Sequence, residues 1–177
     1  MQLQQITLAA GCFWCVEAAF NMLRGVTEAK SGYMGGHTLN PTYKDICTGA
    51  TGHAEVVQLS FDAEVISLAT LLEVFFFLHD PTSLNRQGND VGTQYRSAIF
   101  YADEHQLQAA KTAITKLEQS RCDDKKIVTT LEALAEFYPA ESYHQGYALA
   151  NPNQPYCQFL VLPKLAKFRQ QFASLLK

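Results

Sequence analysis

Gly11-Cys12-Phe13-Trp14-Cys15-Val16-Glu17 joins a run that reads as a strand to one that reads as a helix, and it sets two thiols at the junction. Before it, Ile6-Thr7-Leu8-Ala9-Ala10 is short and apolar, as a strand requires. After it, Val16, Ala19, Phe20 and Leu23 recur at helical spacing. Cys12 therefore falls at or beside a helix N-terminus. Unpaired backbone N–H groups and the helix dipole favour an anion there, which predicts a lowered thiol pKa. Cys15 follows one turn on, on the same face. Cβ atoms at that spacing are about 5–6 Å apart, so a modest adjustment of the first turn closes a disulfide. The junction predicts thiol redox chemistry.

Further along, residues 26–33 read as a second strand, followed by a Gly-, Thr- and Pro-bearing stretch at 34–52 whose length suggests a functional loop. Residues 54–61 read as a strand with Val57, Leu59 and Phe61 on one face. Ser67 is placed to cap a helix through Leu71, Leu72, Phe75 and Phe76 that ends before Pro81. A polar loop at 82–95 leads into a strand at 97–101, and Asp103 with Gln106 resembles a capping box opening a helix that carries Leu107, Ala110, Ile114 and Leu117. A strand at 127–131 and helices at 141–149 and 165–176 complete the expectation, the last with Leu165, Phe168, Phe172 and Leu175 as its buried stripe. Strands mixed with helices and long loops predict an α/β (α+β) fold, a two-layer α/β sandwich.

At 177 residues, with 47% hydrophobic and 18% charged content, the chain is expected to form a single domain, 1–177, of the globular class. A net charge of −3 gives no nucleic-acid footprint, and no apolar run reaches the length of a membrane span. Leu8-Ala9-Ala10-Gly11-Cys12 imitates a lipoprotein cleavage site, but residues 1–7 supply neither a positively charged start nor an apolar core. The five cysteines, at 12, 15, 47, 122 and 157, are odd in number and irregular in spacing. They point to a reducing, cytoplasmic setting with catalytic thiols rather than a secreted disulfide framework. Cys12-x-x-Cys15 has no second CxxC or HxxxH to complete a zinc site, and neither metal nor cofactor is expected.

Glu55 shares strand parity with Val57, Leu59 and Phe61. It is either a desolvated carboxyl with a raised pKa, suited to general acid catalysis, or a strand-end group still in water. The loop from Arg86 to Arg96 is dense in hydrogen-bonding groups and offers either a site or a solvated connection. Tyr43 and Tyr95 offer neutral O–H donors, or are amphipathic tyrosines at the core margin. Cys47 and Cys122 lack helix-start context, whereas Cys157 follows Asn151-Pro152-Asn153-Gln154-Pro155, a segment able to carry a thiol elsewhere.

Four blocks in order resemble the A-type peptide methionine sulfoxide reductases. They are Gly11-Cys12-Phe13-Trp14 with Glu17; Thr51-Gly52-His53-Ala54-Glu55-Val56-Val57; His79-Asp80-Pro81 continuing through Asn85–Asp90 and Gly92–Ala98; and Phe137-Tyr138-Pro139-Ala140-Glu141 with Tyr143-His144-Gln145. The resemblance implies a ferredoxin-like plait and reduction of methionine S-sulfoxide, in oxidised proteins and as the free amino acid. It implies Cys12 as nucleophile, Glu55 as acid, Tyr43 and Tyr95 as donors to the sulfoxide oxygen, and Asp90 as a supporting carboxylate. Phe13 and Trp14 would receive the methyl group, and thioredoxin would recycle a monomeric enzyme. Donors aimed at a sulfoxide oxygen activate the sulfur, and an apolar pocket selects one sulfur configuration.

The sequence departs from the commonest family pattern in carrying Cys15 after Trp14, and in Pro155-Tyr156 before Cys157. Cys15 and Cys157 are thus both candidate resolving thiols. Ring size favours a first disulfide between Cys12 and Cys15, followed by transfer to Cys157. A thioredoxin-like disulfide exchanger is the alternative, because Cys12-Phe13-Trp14-Cys15 is a CxxC, but it leaves Glu55, Asp90 and Tyr95 unexplained. A cysteine hydrolase using His53 or His144 would not need Cys15, and an oxidant-sensing module would show no turnover.

Overall fold

The computed structural model describes residues 1–177. The elements are, in order, β1 (Leu3–Ala10), α1 (Phe13–Asn21), β2 (Val26–Met34), α2 (Tyr43–Cys47), β3 (Ala54–Asp62), α3 (Leu68–Phe77), the short pair β4 (Arg86–Gln87) and β5 (Asp90–Val91), β6 (Ser97–Tyr101), α4 (Glu104–Ser120), β7 (Thr130–Ala133), β8 (Tyr138–Pro139), α5 (Tyr147–Ala150) and α6 (Leu162–Gln171). Six strands form one sheet in the order β7-β6-β1-β3-β2-β8, and only the β6–β7 pair is parallel. The central four, with α1 and α3 as crossovers, make the ferredoxin-like plait.

Ile6, Leu8, Val57, Leu59 and Phe61 point to one face of the sheet, where Val16, Phe20, Leu72 and Phe75 of the helices and Leu165 and Phe168 of the tail cover them. Ala9, Met34, Ala54, Val56, Ala98 and Phe100 form a smaller cluster on the other face, with Phe137 against it. The first half of β3, Ala54 to Val57, is therefore buried on both sides, and there its alternation separates two cores instead of core from water. Ser67 caps α3 by accepting from the Thr70 N–H at 3.1 Å.

Four details differ from the sequence expectation. The final parallel strand is 130–133, not 127–131, because Val128 spends its N–H on the Pro81 carbonyl, outside the sheet. Segment 141–149 is a 3-10 turn at Ser142–His144 and a separate turn of α5, broken by Gly146, whose φ of +69° is left-handed. Asp103 accepts from Gln106 N–H, but the Gln106 side chain reaches Gln5 O and Ala102 N–H, so the box is only half formed. The last helix starts earlier than residue 165, at Leu162, directly after a π-helical turn at Cys157–Val161.

Candidate active site

The turn between β1 and α1 is set by Gly11, at φ +84°, where a Cβ would lie 2.7 Å from Cγ of Gln87. Only glycine allows that backbone and that approach, and the turn leaves Cys12 as the N-cap of α1. Cys12 is half-buried and Cys15 buried, both as free thiols.

Glu55 is the second residue of β3 and is 2% exposed, among the apolar side chains its parity predicted. Its Oε1 accepts the Phe13 N–H at 3.2 Å. Desolvation raises its pKa to about 8, helped by the charge of Asp90, while the Phe13 bond works against the shift. Near neutral pH this carboxyl largely holds its proton.

The Cys12 thiol departs from expectation. Burial and then the negative charge of Glu55 hold its pKa well above the ordinary thiol value, with Asp90 adding to the effect. The Trp14 N–H and the Tyr156 hydroxyl oppose this and are outweighed. A helix start leaves a thiol pKa lowered only where burial and nearby carboxylates do not outweigh it.

The 34–52 loop contains the short helix α2, begun by a reciprocal Thr42–Asp45 capping box. The Tyr43 N–H donates to Glu141 Oε2 at 2.9 Å, and Tyr33 OH donates to Oε1 of the same carboxylate at 2.9 Å. His53 fastens the loop from behind through Gly36 N–H and the Thr38 carbonyl. Tyr95 ends the turn before β6, which Arg96 holds by bonding Gly52 O and Thr93 O and pairing with Glu132 at 3.2 Å. Both phenols are raised by burial and then by the charge of Glu55, and remain neutral donors. Glu55 is thus within electrostatic reach of Cys12, Tyr43 and Tyr95, and Asp90 within reach of Cys12, Glu55 and Tyr95.

Phe13 is buried and packs against Tyr33 and His144, with ring centroids 5.7 and 5.2 Å away. Trp14 is half-buried, stacks on Tyr147 at 3.9 Å, and donates its indole N–H to His144 Nδ1 at 2.9 Å. Burial holds His144 neutral, and its Nε2 has no partner. Glu17 anchors this cluster by accepting the Gly146 N–H at 2.9 and 3.0 Å.

Sequence reasoning assigned no role to Glu141, Tyr147 or Tyr156. Glu141 lay in a motif block, but its partners Tyr33 and Tyr43 arrive from β2 and α2. The Tyr156 hydroxyl donates to Asp90 Oδ2 at 2.5 Å, and it lies close enough to Cys12 for a charge there to add to the rise that burial gives its pKa. The neighbouring Cys157 is fully buried and close enough to Cys15 for a charge on it to raise the Cys15 pKa. The tail thus brings its thiol to Cys15 and its phenol to Cys12. Cys47 is exposed and close enough to Tyr43 for a charge on it to raise the phenol, and Cys122 is exposed.

Residues 4–176 match the family model described as peptide methionine sulfoxide reductase. The chain is 53% identical over 175 residues to peptide methionine sulfoxide reductase MsrA of Chromobacterium violaceum, covering 99% of each. Reduced Mxr1 from Saccharomyces cerevisiae has a similar structure, with a TM-score of 0.81 at 37% identity over 88% of this chain and 90% of that one. Mxr1 in complex with Trx2 matches with a TM-score of 0.57 at 27% identity over 82% and 85%. The match runs over nearly the whole chain, and the chain belongs to the peptide methionine sulfoxide reductase family.

Proposed function

We propose that this chain reduces methionine S-sulfoxide, in oxidised proteins and as the free amino acid, and that Cys12 takes the oxygen. The observation that carries the reading is a protonated, buried carboxyl tied to the residue next to a cysteine at a helix start. The sulfoxide oxygen lies between the phenols of Tyr43 and Tyr95 and the carboxyl of Glu55, with Asp90 behind Tyr156. The S-methyl group lies against Phe13 and Trp14.

Cys12 sulfur attacks the sulfoxide sulfur as Glu55 protonates the oxygen and regains a proton from the thiol. The oxygen leaves methionine sulfoxide and ends on Cys12 as a sulfenic acid, so the sulfoxide is reduced by two electrons to the thioether and Cys12 is oxidised by two. The Cys15 thiol then condenses with the sulfenic acid, releasing water and forming the Cys12–Cys15 disulfide. Exchange with Cys157 frees Cys12 and leaves Cys15–Cys157. Thioredoxin supplies the closing electrons, in line with the Trx2 complex of the yeast relative. The chain works as a single domain, 1–177, as a monomer and in the cytoplasm. No helix is long and apolar enough to cross a membrane.

The test is turnover of a peptide bearing one methionine sulfoxide, with dithiothreitol as reductant. One thioether should form per dithiol consumed, with the S epimer depleted and the R epimer left. Loss of reductant without thioether would favour a simple disulfide exchanger, a role that gives Glu55 nothing to do.

A further inference from the structure

The two sulfurs at the start of α1 open on a second approach. A cavity of about 240 Å³ borders Cys12 and Cys15 and is walled by Gln87, Tyr156, Leu160 and Lys164. Asp90 also lines it, but Glu55, Tyr43, Tyr95 and Trp14 do not. A sulfur attacking from this side therefore meets Cys15 without crossing the place assigned to the sulfoxide.

The cavity is too narrow for a protein domain, but it does not end at its own mouth. A wider hollow of about 580 Å³ lies beside it and shares Gln87, Leu160 and Lys164 with it. Its walls include Phe77, Phe159 and Pro163. Phe159 is 71% exposed, Leu160 47% and Phe77 40%. Large apolar side chains gathered on open surface mark a contact face.

The backbone explains the gathering. The π turn at Cys157–Val161 buries its first and last residues and turns Gln158, Phe159 and Leu160 outward. One local irregularity both buries a thiol and displays two large apolar groups, and π turns recur at functional sites. Lys164 and Lys167 stand one turn apart on α6 along the same hollow. Neither belongs to any of the ion pairs. Asp80, in the same lining, keeps its charge while accepting from Thr82, but the two lysines outnumber it. The net charge at this rim is positive, so its complement on a partner is acidic.

We propose that the face made by Phe77, Phe159, Leu160 and Pro163, with Lys164 and Lys167 at its rim, docks the dithiol protein that reduces this chain. The proposal rests on the reading of function above. The partner is a thioredoxin-type protein whose nucleophilic thiol sits in an apolar surface with an acidic margin. Cys15 is the sulfur it attacks, whether Cys15 is bonded to Cys12 or to Cys157. The partner's first thiolate bonds to Cys15 and expels the other cysteine as a thiol. Its second thiol then breaks that mixed disulfide, leaving the partner oxidised and both cysteines reduced.

The test compares two reductants on the same protein. For Phe159→Glu, kcat/KM toward reduced thioredoxin should fall about tenfold or more, as expected for a central apolar contact. For Lys167→Glu it should fall about threefold and lose much of its salt dependence, as expected for a rim charge. Turnover of a methionine sulfoxide peptide with dithiothreitol should stay at the wild-type rate in both. A single-cysteine thioredoxin should be trapped as a mixed disulfide on Cys15. The surface is overturned if Phe159→Glu keeps the wild-type thioredoxin value, if dithiothreitol turnover falls in parallel, or if the trap maps elsewhere. A wild-type chain inactive with dithiothreitol would instead sink the reading of function on which the surface depends.

Discussion

The backbone N–H of Phe13 donates to Glu55 Oε1 at 3.2 Å, so the acid on β3 is held by the residue that follows the nucleophile. That bond ties the first residue of α1 to β3 and holds the proton donor near the sulfur. Glu55→Gln keeps an oxygen to accept it but has no proton to give. Its single-turnover rate of thioether formation should fall about 10²–10⁴-fold, the usual worth of general acid catalysis. Glu55→Asp, shorter by one methylene, should lose less. A Gln variant as fast as wild type would assign the proton to a phenol or to water.

The same carboxyl sets a pH limit. With its pKa raised to about 8, the proton-donating form is lost above that value, so the single-turnover rate should decline as pH rises through about 8. Stability has the same sign. A carboxyl raised above its unfolded value of 4.5 stabilises the fold fully below that value, and the contribution is lost as pH rises through about 8. Wild type should therefore lose stability relative to Glu55→Gln across this window, measured by urea unfolding at several pH values.

Cys12→Ser should abolish sulfoxide reduction and leave the fold intact. A serine hydroxyl has no comparable nucleophilicity, and its oxygen fits the N-cap position well. Retention of a tenth of wild-type turnover would move the nucleophile elsewhere, with Cys15 next in line.

Cys15→Ser should still release one methionine equivalent in a single turnover, but should form its disulfide more slowly than wild type. Cys157→Ser should form the Cys12–Cys15 disulfide at the wild-type rate. Free-thiol counting with mass mapping after one turnover checks both. The reverse pattern would make Cys157 the first resolving thiol.

Glu17→Ala should destabilise the protein by about 1–3 kcal/mol, the usual cost of an unmade buried bond, and raise KM. Its carboxylate holds Gly146, and with it the turn that sets His144 and Tyr147 on Trp14. Urea unfolding and steady-state kinetics test it. A drop in kcat at unchanged KM would show that the turn serves the chemistry and not substrate binding.

What the sequence disclosed was local. Ile6 to Leu23 announced the strand–helix junction, and the parity of Glu55 with Val57 and Leu59 pointed it to the correct face. The raised Cys12 pKa was invisible, because its main cause is burial in the finished fold and the carboxylates that add to it arrive on β3 and β5. Gly146 broke an apolar pattern that reads as continuous helix, since a left-handed residue leaves no mark in periodicity. Tyr156 gave no signal of its own, and only the folded tail sets it between Asp90 and Cys12.

A repair enzyme of this kind operates amid the peroxides that create its substrate, and its own sulfur is exposed to the same damage. The thiolate, not the thiol, reacts with peroxide, and burial with Glu55 keeps resting Cys12 in the thiol form. Cys15 is likewise held up, to about 11, and Cys157 is sealed from solvent. The idle enzyme is thus passivated: its sulfurs stay off the irreversible rungs of oxidation until a sulfoxide arrives to draw the proton away. Peroxide should titrate exposed Cys47 and Cys122 well before it costs any activity.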